Sequence, residues 1–354
     1  LYNATGAGNP TMRHLVLGIP PESIRLAPYI PAVNHLPSLA GGVNELGWDI
    51  NPRATIDCLP GVASYVGADI SAGVLSTGMD ETAELTLFID VGTNGETVLG
   101  NADWLVTCAC SAGPAFEGGG VEYGMRATVG AIEEVWINND TLEPDYRVIG
   151  REGEKPRGIC GSGLLGLLAE MFVTGVVDKA GNLQVGRSPR IREGEHGPEY
   201  VVAWGRETAH GRDIAISKID IDNLMRAKAA IYAGFTVMAQ SVGVDLADVS
   251  QMLIGGSFGQ YINVEKAIQI GLLPDMPWDR FRFLGNTSAL GAFHALVSRS
   301  MRRELINVAK KMTYLELSAD NTFYDKFMSS LFLPHTDITA FPSVMKLLES
   351  RANR

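Results

Sequence analysis

The stretch ELTLFIDVGTNGETVLGN, Glu84 to Asn101, decides how this chain is read. The apolar run from Leu85 to Ile89 delivers Asp90 to a turn built on Thr93-Asn94-Gly95, and a second short strand leads away from it. Asn-Gly between two such runs is the strongest short-range hairpin signal. Successive backbone N–H groups in a turn of this kind form an anion nest, to which Thr93 adds a hydroxyl donor. Asp90 at the base of the nest suits Mg2+ held through water, offsetting phosphate charge. An ordinary hairpin with an Asn-Gly turn accounts for the same residues, so the neighbouring segments must decide.

Three further glycine-rich turns follow. GICGSGLLG, Gly158 to Gly166, contains the spelling G-x-G-x-x-G. EKPRGIC before it is no apolar strand, and no acidic residue ends a strand about twenty positions on, so the dinucleotide reading is weak. A glycine-rich helix start around Gly161, Ser162 and Gly163, approaching a phosphate or a neighbouring strand, fits better. LIGGSFG, Leu253 to Gly259, is a strand running into a glycine turn where a flat ring can lie on bare backbone. In LGNTSALGAF, Leu284 to Phe293, Asn286 caps or turns, and small residues let a helix cross close to another element. Each has a ligand-free reading in which glycine only permits tight packing.

Between these turns, SYVGADISAGVLSTG reads as a helix of small residues and Leu164 to Val173 as a second helix. Strands are predicted near Ala131–Ile137 and Tyr146–Ile149, and in EYVVAW and DIAIS. Asp222 is the expected N-cap of a long helix ending near Val242, with Leu224, Ile231, Phe235, Met238 and Val242 on one inward face. INVEKAIQIGLL is a short helix, FRFLGN a strand and turn, and SALGAFHALVSRSMRRELINVAKKM one helix of many turns. The last forty residues read as a strand, a helix and a proline-containing tail.

Composition bounds the function. The 354 residues give room for two domains, with 46% apolar and 19% charged residues, a globular mix. Net charge is −11 and no stretch of five or six basic residues occurs, which argues against nucleic acid and anionic membrane as partners. Apolar runs fall short of a membrane span, and no basic-then-apolar signal segment opens the chain. Cys58, Cys108, Cys110 and Cys160 suit a reducing cytoplasm. The start at Leu1, inside LYNATGAGNPTM, is read as that of a fragment. No Gly-Lys pair and hence no Walker A loop is present, nor a His-Glu-x-x-His zinc helix. Cys108-x-Cys110 is too sparse for a metal site, and the four thiolates of a ferredoxin-like cluster are missing from the pattern.

The order of elements is more specific than any single motif. A small-residue helix, a hairpin, a long helix, a strand ending in Gly-Gly and a closing small-residue helix resemble the second half of the actin-like (ribonuclease H-like) ATPase layout. The resemblance implies an α/β fold with mixed sheets flanked by helices. Within that superfamily, GNPTMRHLVLGI, IDVGTNGE, SAGPAFEGG, GMRA, GICGSGLL, DNLMRAKAAIYAG, IGGSFGQYI, LGNTSALGA and LFLPHTD together resemble the ATPase region of reductive activators of corrinoid proteins. Those proteins carry an amino-terminal iron–sulfur domain and use ATP to drive a Co(II) corrinoid on a partner to Co(I). Two departures stand out: the iron–sulfur domain and the family's first phosphate loop, upstream of GNPTM, are absent from this sequence. The implied organisation is residues 1–84 as the remainder of the first lobe with its connecting helix, 85–290 as the nucleotide-binding lobe with an insertion around 140–218, and 291–354 as closing helix and extension.

The resemblance also assigns roles. Asp90 is expected to hold Mg2+ through water, while Gly92, Thr93, Asn94 and Gly95 contact phosphate and Glu96 is counted among the nucleotide-binding residues. Asp69, on the small-residue helix, faces the same metal or the attacking water; a surface carboxylate is the plainer reading. Glu117 orders water or metal, or caps a turn. Gly255, Gly256, Ser257 and Phe258 border the adenine, with Gly161, Ser162, Gly163 and Asn286 at the other nucleotide turns. Arg226 and Lys228, two apart on one helix, cannot share a face, so one at most reaches nucleotide. The glycine-rich loop Gly118 to Met125, with Glu122 and Tyr123, is expected to be mobile and to face the partner's corrinoid. ATP, Mg2+ and a corrinoid protein are thus the expected cofactors and partner, in the cytoplasm, with a homodimer left open. A small-molecule kinase of the same superfamily, a nucleotide-binding scaffold without turnover and an activator of a radical dehydratase are the alternatives.

Overall fold

The computed structural model describes residues 2–36, 38–40, 51–92, 94–256, 259 and 262–352. Its organising element is the predicted hairpin. Strands β4 (Thr86–Val91), β5 (Gly95–Gly100) and β6 (Leu105–Cys110) form an antiparallel meander. On the free side of β4 lie β13 (Gln251–Gly255) and then β14 (Phe281–Gly285), both parallel. On the free side of β6 lies β15 (Met312–Tyr314), also parallel. The result is a mixed six-stranded sheet ordered β14-β13-β4-β5-β6-β15. Its central strands are apolar on both faces, as a sheet covered by helices on both sides requires.

The first lobe is smaller. Strand β1 (Asn3–Gly6) pairs parallel with β3 (Thr55–Cys58), which pairs antiparallel with β2 (Leu39–Ala40). Helix α1 (Pro10–Val16) follows β1, its start fixed by Pro10 and by Asn9, whose side chain accepts from Met12 N. Between α1 and the strands runs the single helical turn α2 (Glu22–Arg25). Helix α3 (Ala68–Thr77) leads from this lobe to β4 and crosses α7 (Thr287–Val297). The crossing is close because it is glycine-built. A Cβ on Gly291 would lie 2.0 Å from the Ala72 carbonyl oxygen, and one on Gly73 3.0 Å from the Phe88 ring.

Between β6 and β13 the chain lays down the rest of the second lobe. Strands β7 (Ala131–Ile137), β8 (Pro144–Val148) and β9 (Gly158–Ile159) form one small sheet, which α4 (Gly161–Val173) covers. Strands β10 (Ile191–Gly194), β11 (Gly197–Ala203) and β12 (Ile214–Ser217) form another. The main core gathers Leu164, Leu167 and Leu168 of α4 with Leu224, Ile231 and Phe235 of α5 (Lys218–Ser241) and the inner residues of β4 and β5. Helix α6 (Val264–Gln269) follows β13.

Three sequence expectations are corrected. Helix α5 starts four residues before Asp222. Ser217 is the N-cap and forms a reciprocal capping box with Asp220, while Asp222 is taken up in an ion pair with Lys218. The single long helix of residues 288–312 is two, α7 and α8 (Arg299–Lys311). Ser298 sits between them in extended backbone and caps the second through Met301 N. The tail after α9 (Phe323–Ser330) contains a further helix, α10 (Pro342–Ala352).

Candidate functional site

The hairpin places its carboxylates by register alone. Antiparallel pairing sets Asp90 opposite Glu96, and parallel pairing sets Gly255 beside Asp90 on the other flank. The next residue, Gly256, has φ of +87°, and a Cβ there would lie 2.7 Å from Asp90 Oδ1 and 2.6 Å from the Val91 carbonyl oxygen. Only glycine therefore fits. Gly256 N donates to Gly285 O at 2.9 Å, joining the ends of β13 and β14 over the hairpin.

The first lobe contributes Asp69, in the first turn of α3. Ala68 N donates to Gly8 O at 3.1 Å, and a Cβ on Gly67 would lie 2.6 Å from Gly8 O and from Asn9 Cα. The GNPTM segment and the start of α3 are thus pressed together. Asp69 Oδ1 accepts from Ile70 N at 3.1 Å.

These three carboxylates feel one another. Burial raises Asp69 above its ordinary value. Burial, then the charge of Asp69, pushes Asp90 up to about 6. Burial, then Asp69 and Asp90, pushes Glu96 up to about 8. Two lobes thus bring three acids into one field, with their charge suppressed by proximity and poor solvation. A buried cation stands on the Asp69 side. Arg13 donates to the carbonyls of Leu59 (2.7 Å), Asn34 (3.2 Å) and Val33 (3.3 Å). Burial lowers its pKa, while Cys58 and Asp69 act in the opposite direction.

This donor set fits magnesium. It consists of carboxylate oxygens, and the repulsion among them is what a divalent cation relieves. Among the described residues no three His, Cys, Asp or Glu side chains are placed to cage a metal. Magnesium bound by one or two carboxylates and completed by water and phosphate needs no such cage.

The other expected site residues divide. Gly92 N donates to Asn94 O at 3.0 Å, so the turn is closed on itself, with Asn94 exposed. Gly95 is buried, and a Cβ there would touch Ile231 of α5 at 3.1 Å. Thr93, Ser257 and Phe258 lie outside the described residues. At the start of α4, Gly163 has a packing reason for being glycine: a Cβ would lie 2.3 Å from Ile132 O. Gly161 is likewise buried, whereas Ser162 lines a cavity of about 330 Å³ with Trp136, Asn263 and Lys266. Asn286 is the N-cap of α7, accepting from Ala289 N at 2.9 Å. Glu117 is exposed on a short helical turn after β6.

Lys228 must be reassigned. It is fully buried, and its Nζ donates to the carbonyl of Phe332 and, at 2.7 Å, to that of Pro334. Burial lowers its pKa. It fastens α5 to the carboxy-terminal extension and presents nothing to a nucleotide. Arg226, two residues away, is exposed and donates to Asn223 at 3.1 Å. The loop Gly118 to Met125 is likewise not the mobile segment expected. Glu122 N donates to Asp220 (3.0 Å), Asn223 donates to Gly120 O (2.7 Å), and Met125 N donates to Ile159 O (2.9 Å). Gly118 and Gly124 touch backbone to backbone, leaving no room for a Cβ on either.

Arg13 is the residue that sequence reading passed over. Helix α1 buries Pro10, Arg13 and His14 and exposes Met12, Leu15 and Val16, so its pattern of polar and apolar residues gave no signal that Arg13 lies inside.

With this geometry in place, known proteins supply a comparison. Residues 84–345 match the family model described as the C-terminal domain of RACo, the ASKHA domain, and residues 1–82 match the RACo middle region. The corrinoid activation enzyme RamQ of Eubacterium limosum is 34% identical over 336 residues, 93% of this chain and 55% of the relative. The Co(II) methylated amine-specific corrinoid protein reductase of Methanosarcina barkeri is 27% identical over 292 residues, 77% of this chain and 50% of that one. A solved reductive activator for corrinoid, iron-sulfur protein superposes with a TM-score of 0.88 at 50% identity, covering 97% of this chain and 54% of its own. The chain spans about half the length of these relatives.

Proposed function

Because this chain belongs to the family of RACo C-terminal ASKHA domains, we propose that it is the ATP-binding and ATP-hydrolysing part of an enzyme that reduces a Co(II) corrinoid protein to Co(I). The observation that carries the reading is the cluster of Asp69, Asp90 and Glu96, drawn from both lobes and charged only at a cost. Asp90 holds Mg2+ through water, and Glu96 and Asp69 complete the acidic wall. Gly92 is exposed, with nothing nearer than 4.0 Å to a Cβ placed on it, and leaves room for phosphate to approach the backbone, while Gly95, Gly255 and Gly256 let the hairpin and β13 pack closely around the carboxylates. When bound, magnesium neutralises phosphate charge and orients the γ-phosphoryl group.

Nucleotide acts here as a conformational ligand. It favours the arrangement that brings Asp69 to Asp90, in proportion to its differential affinity for that arrangement. The partner is a corrinoid protein, met at the fixed platform of residues 118–125. The electron comes from an iron–sulfur domain on another part of the polypeptide. Among the described residues no helix is long and apolar enough to cross a membrane. The four free cysteines agree with a reducing cytoplasm.

The test is to mix the full-length protein, a low-potential reductant and a candidate corrinoid protein, and to follow the cobalt spectrum with and without ATP. ATP-dependent appearance of Co(I) is expected; reduction indifferent to ATP rejects the proposal. Replacing Glu122 and Tyr123 is expected to slow activation without changing ATP affinity, and an unchanged rate rejects the platform.

A further inference from the structure

A second cavity, of about 310 Å³, adjoins the hairpin at Asn94. Three separated parts of the chain build it. Tyr29 and Tyr65 come from the first lobe, Asn94 from the hairpin turn, and Glu316, Phe323 and Phe327 from the carboxy-terminal extension. Tyr29 and Tyr65 stand 6.2 Å apart between ring centroids, tilted by 49°. Phe323 and Phe327, one turn apart on α9, stand 6.2 Å apart and nearly parallel at 27°. Four aromatic rings thus share one wall system.

The charge of this cavity has one sign. Among the described residues no lysine, arginine or histidine lines it, and the one carboxylate is that of Glu316. Among the described residues that carboxylate is held by neutral donors alone. Oε1 accepts from Ser318 N (3.2 Å) and Ser318 Oγ (2.7 Å), and Oε2 accepts from the Tyr314 hydroxyl (2.9 Å). Among the described residues no cation lies within ion-pair distance of it. Burial, then the Glu316 charge, raises the Tyr65 pKa, so the Glu316 carboxylate acts on the same phenol whose ring face would attract a cation. The backbone of Tyr29 lies at φ of +58°. That conformation is uncommon for a bulky residue and gathers at ligand-binding positions.

We propose that this cavity is a binding site for an aliphatic ammonium group, which Tyr29, Tyr65, Phe323 and Phe327 surround and Glu316 neutralises. Aromatic walls with a single carboxylate favour a cation with an apolar shell over an anion, a sugar or a neutral hydrocarbon. The volume suits a small alkylammonium or the end of one lysine side chain. These two sources share their chemistry and differ in whether the cation is free or carried by a docking protein. The inference stands independently of nucleotide binding, because none of its evidence comes from the carboxylate cluster. Its position against Asn94 nevertheless places an occupant in contact with the hairpin turn.

Titration of the full chain with tetramethylammonium chloride, against sodium chloride at equal ionic strength, tests it by NMR chemical shift. The uncharged isostere tert-butanol serves as control. Saturable binding at least fivefold tighter than that of the isostere is expected, weakened at least fivefold in Y65A and in E316Q. Circular dichroism melting of both variants separates lost binding from lost folding. Butylammonium in place of tetramethylammonium distinguishes the sources: tighter binding of the primary amine assigns the site to a lysine side chain, and tighter binding of the quaternary one to a free small cation. Equal affinity for cation and isostere, or binding untouched in a folded E316Q variant, overturns the proposal. ATP affinity is measured in parallel, so that loss of the nucleotide reading is seen separately.

Discussion

Glu96 keeps its proton near neutrality, with a pKa of about 8, and Asp90 titrates at about 6. Both lie above their ordinary values of 4.5 and 3.8, so the folded chain holds protons that the unfolded chain has released. Their contribution to stability is therefore complete below the ordinary values and is lost as pH rises through about 6 and then about 8. Without magnesium, E96Q is expected to stabilise the chain by about 1–2 kcal/mol at alkaline pH and to leave it unchanged in acid, as read by urea unfolding. Magnesium takes the ionised carboxylates, so calorimetry in buffers of different ionisation enthalpy is expected to show proton release on binding Mg·ATP at neutral pH. D90N is expected to weaken Mg·ATP about tenfold or more, a change of about 1.4 kcal/mol at least. Lys228 offers the opposite pattern. K228A strands two buried carbonyls and opens a cavity, costing about 2–4 kcal/mol of stability while ATP affinity holds. Its burial was legible: Lys228 lies four residues after Leu224 and three before Ile231, on the very stripe whose periodicity predicted an inward face. Counting Lys228 among the residues that reach nucleotide set its type above its position.

At the scale of elements, the hairpin was legible because Asn94-Gly95 and the flanking apolar runs are local signals. The crossing of α3 and α7 was half legible, since small residues announce closeness without naming what comes close. It is Ala72 whose carbonyl meets Gly291. G291A is expected to force these helices apart and lower stability by about 2 kcal/mol or more, measurable as a lower urea midpoint. The start of α5 was misplaced because Ser217, Asp220 and Asp222 are all residues that cap. What chooses among them is Ile214–Ser217 pairing into a sheet, which ends the strand at Ser217. Removing that cap with S217A is expected to cost about 1 kcal/mol. The break at Ser298 escaped notice because serine is tolerated within helices, and neither proline nor glycine marks the place.

For the whole molecule, that Asp69 faces the same metal as Asp90 was expected only through the family resemblance, because nothing in the spacing of the motifs gives it. Those residues lie about twenty positions apart, and only the packing of α3 against the sheet brings them into one field. Hydrogen exchange of the full chain is expected to slow together around residues 8–13, 67–70 and 90–96 when Mg·ATP binds. Slowing confined to 90–96 would show that the first lobe takes no part. Helix α5 connects the remaining regions. Near its start, Asp220 and Asn223 hold the platform of residues 118–125. Midway, Lys228 holds the extension, and Ile231 lies under Gly95 of the hairpin. Asn223 and Ile231 are about 12 Å apart along an unbroken helix. The hairpin and the loop of residues 118–125 therefore rest on one unbroken helix, which gives two parts of the lobe that are remote in sequence a common mounting.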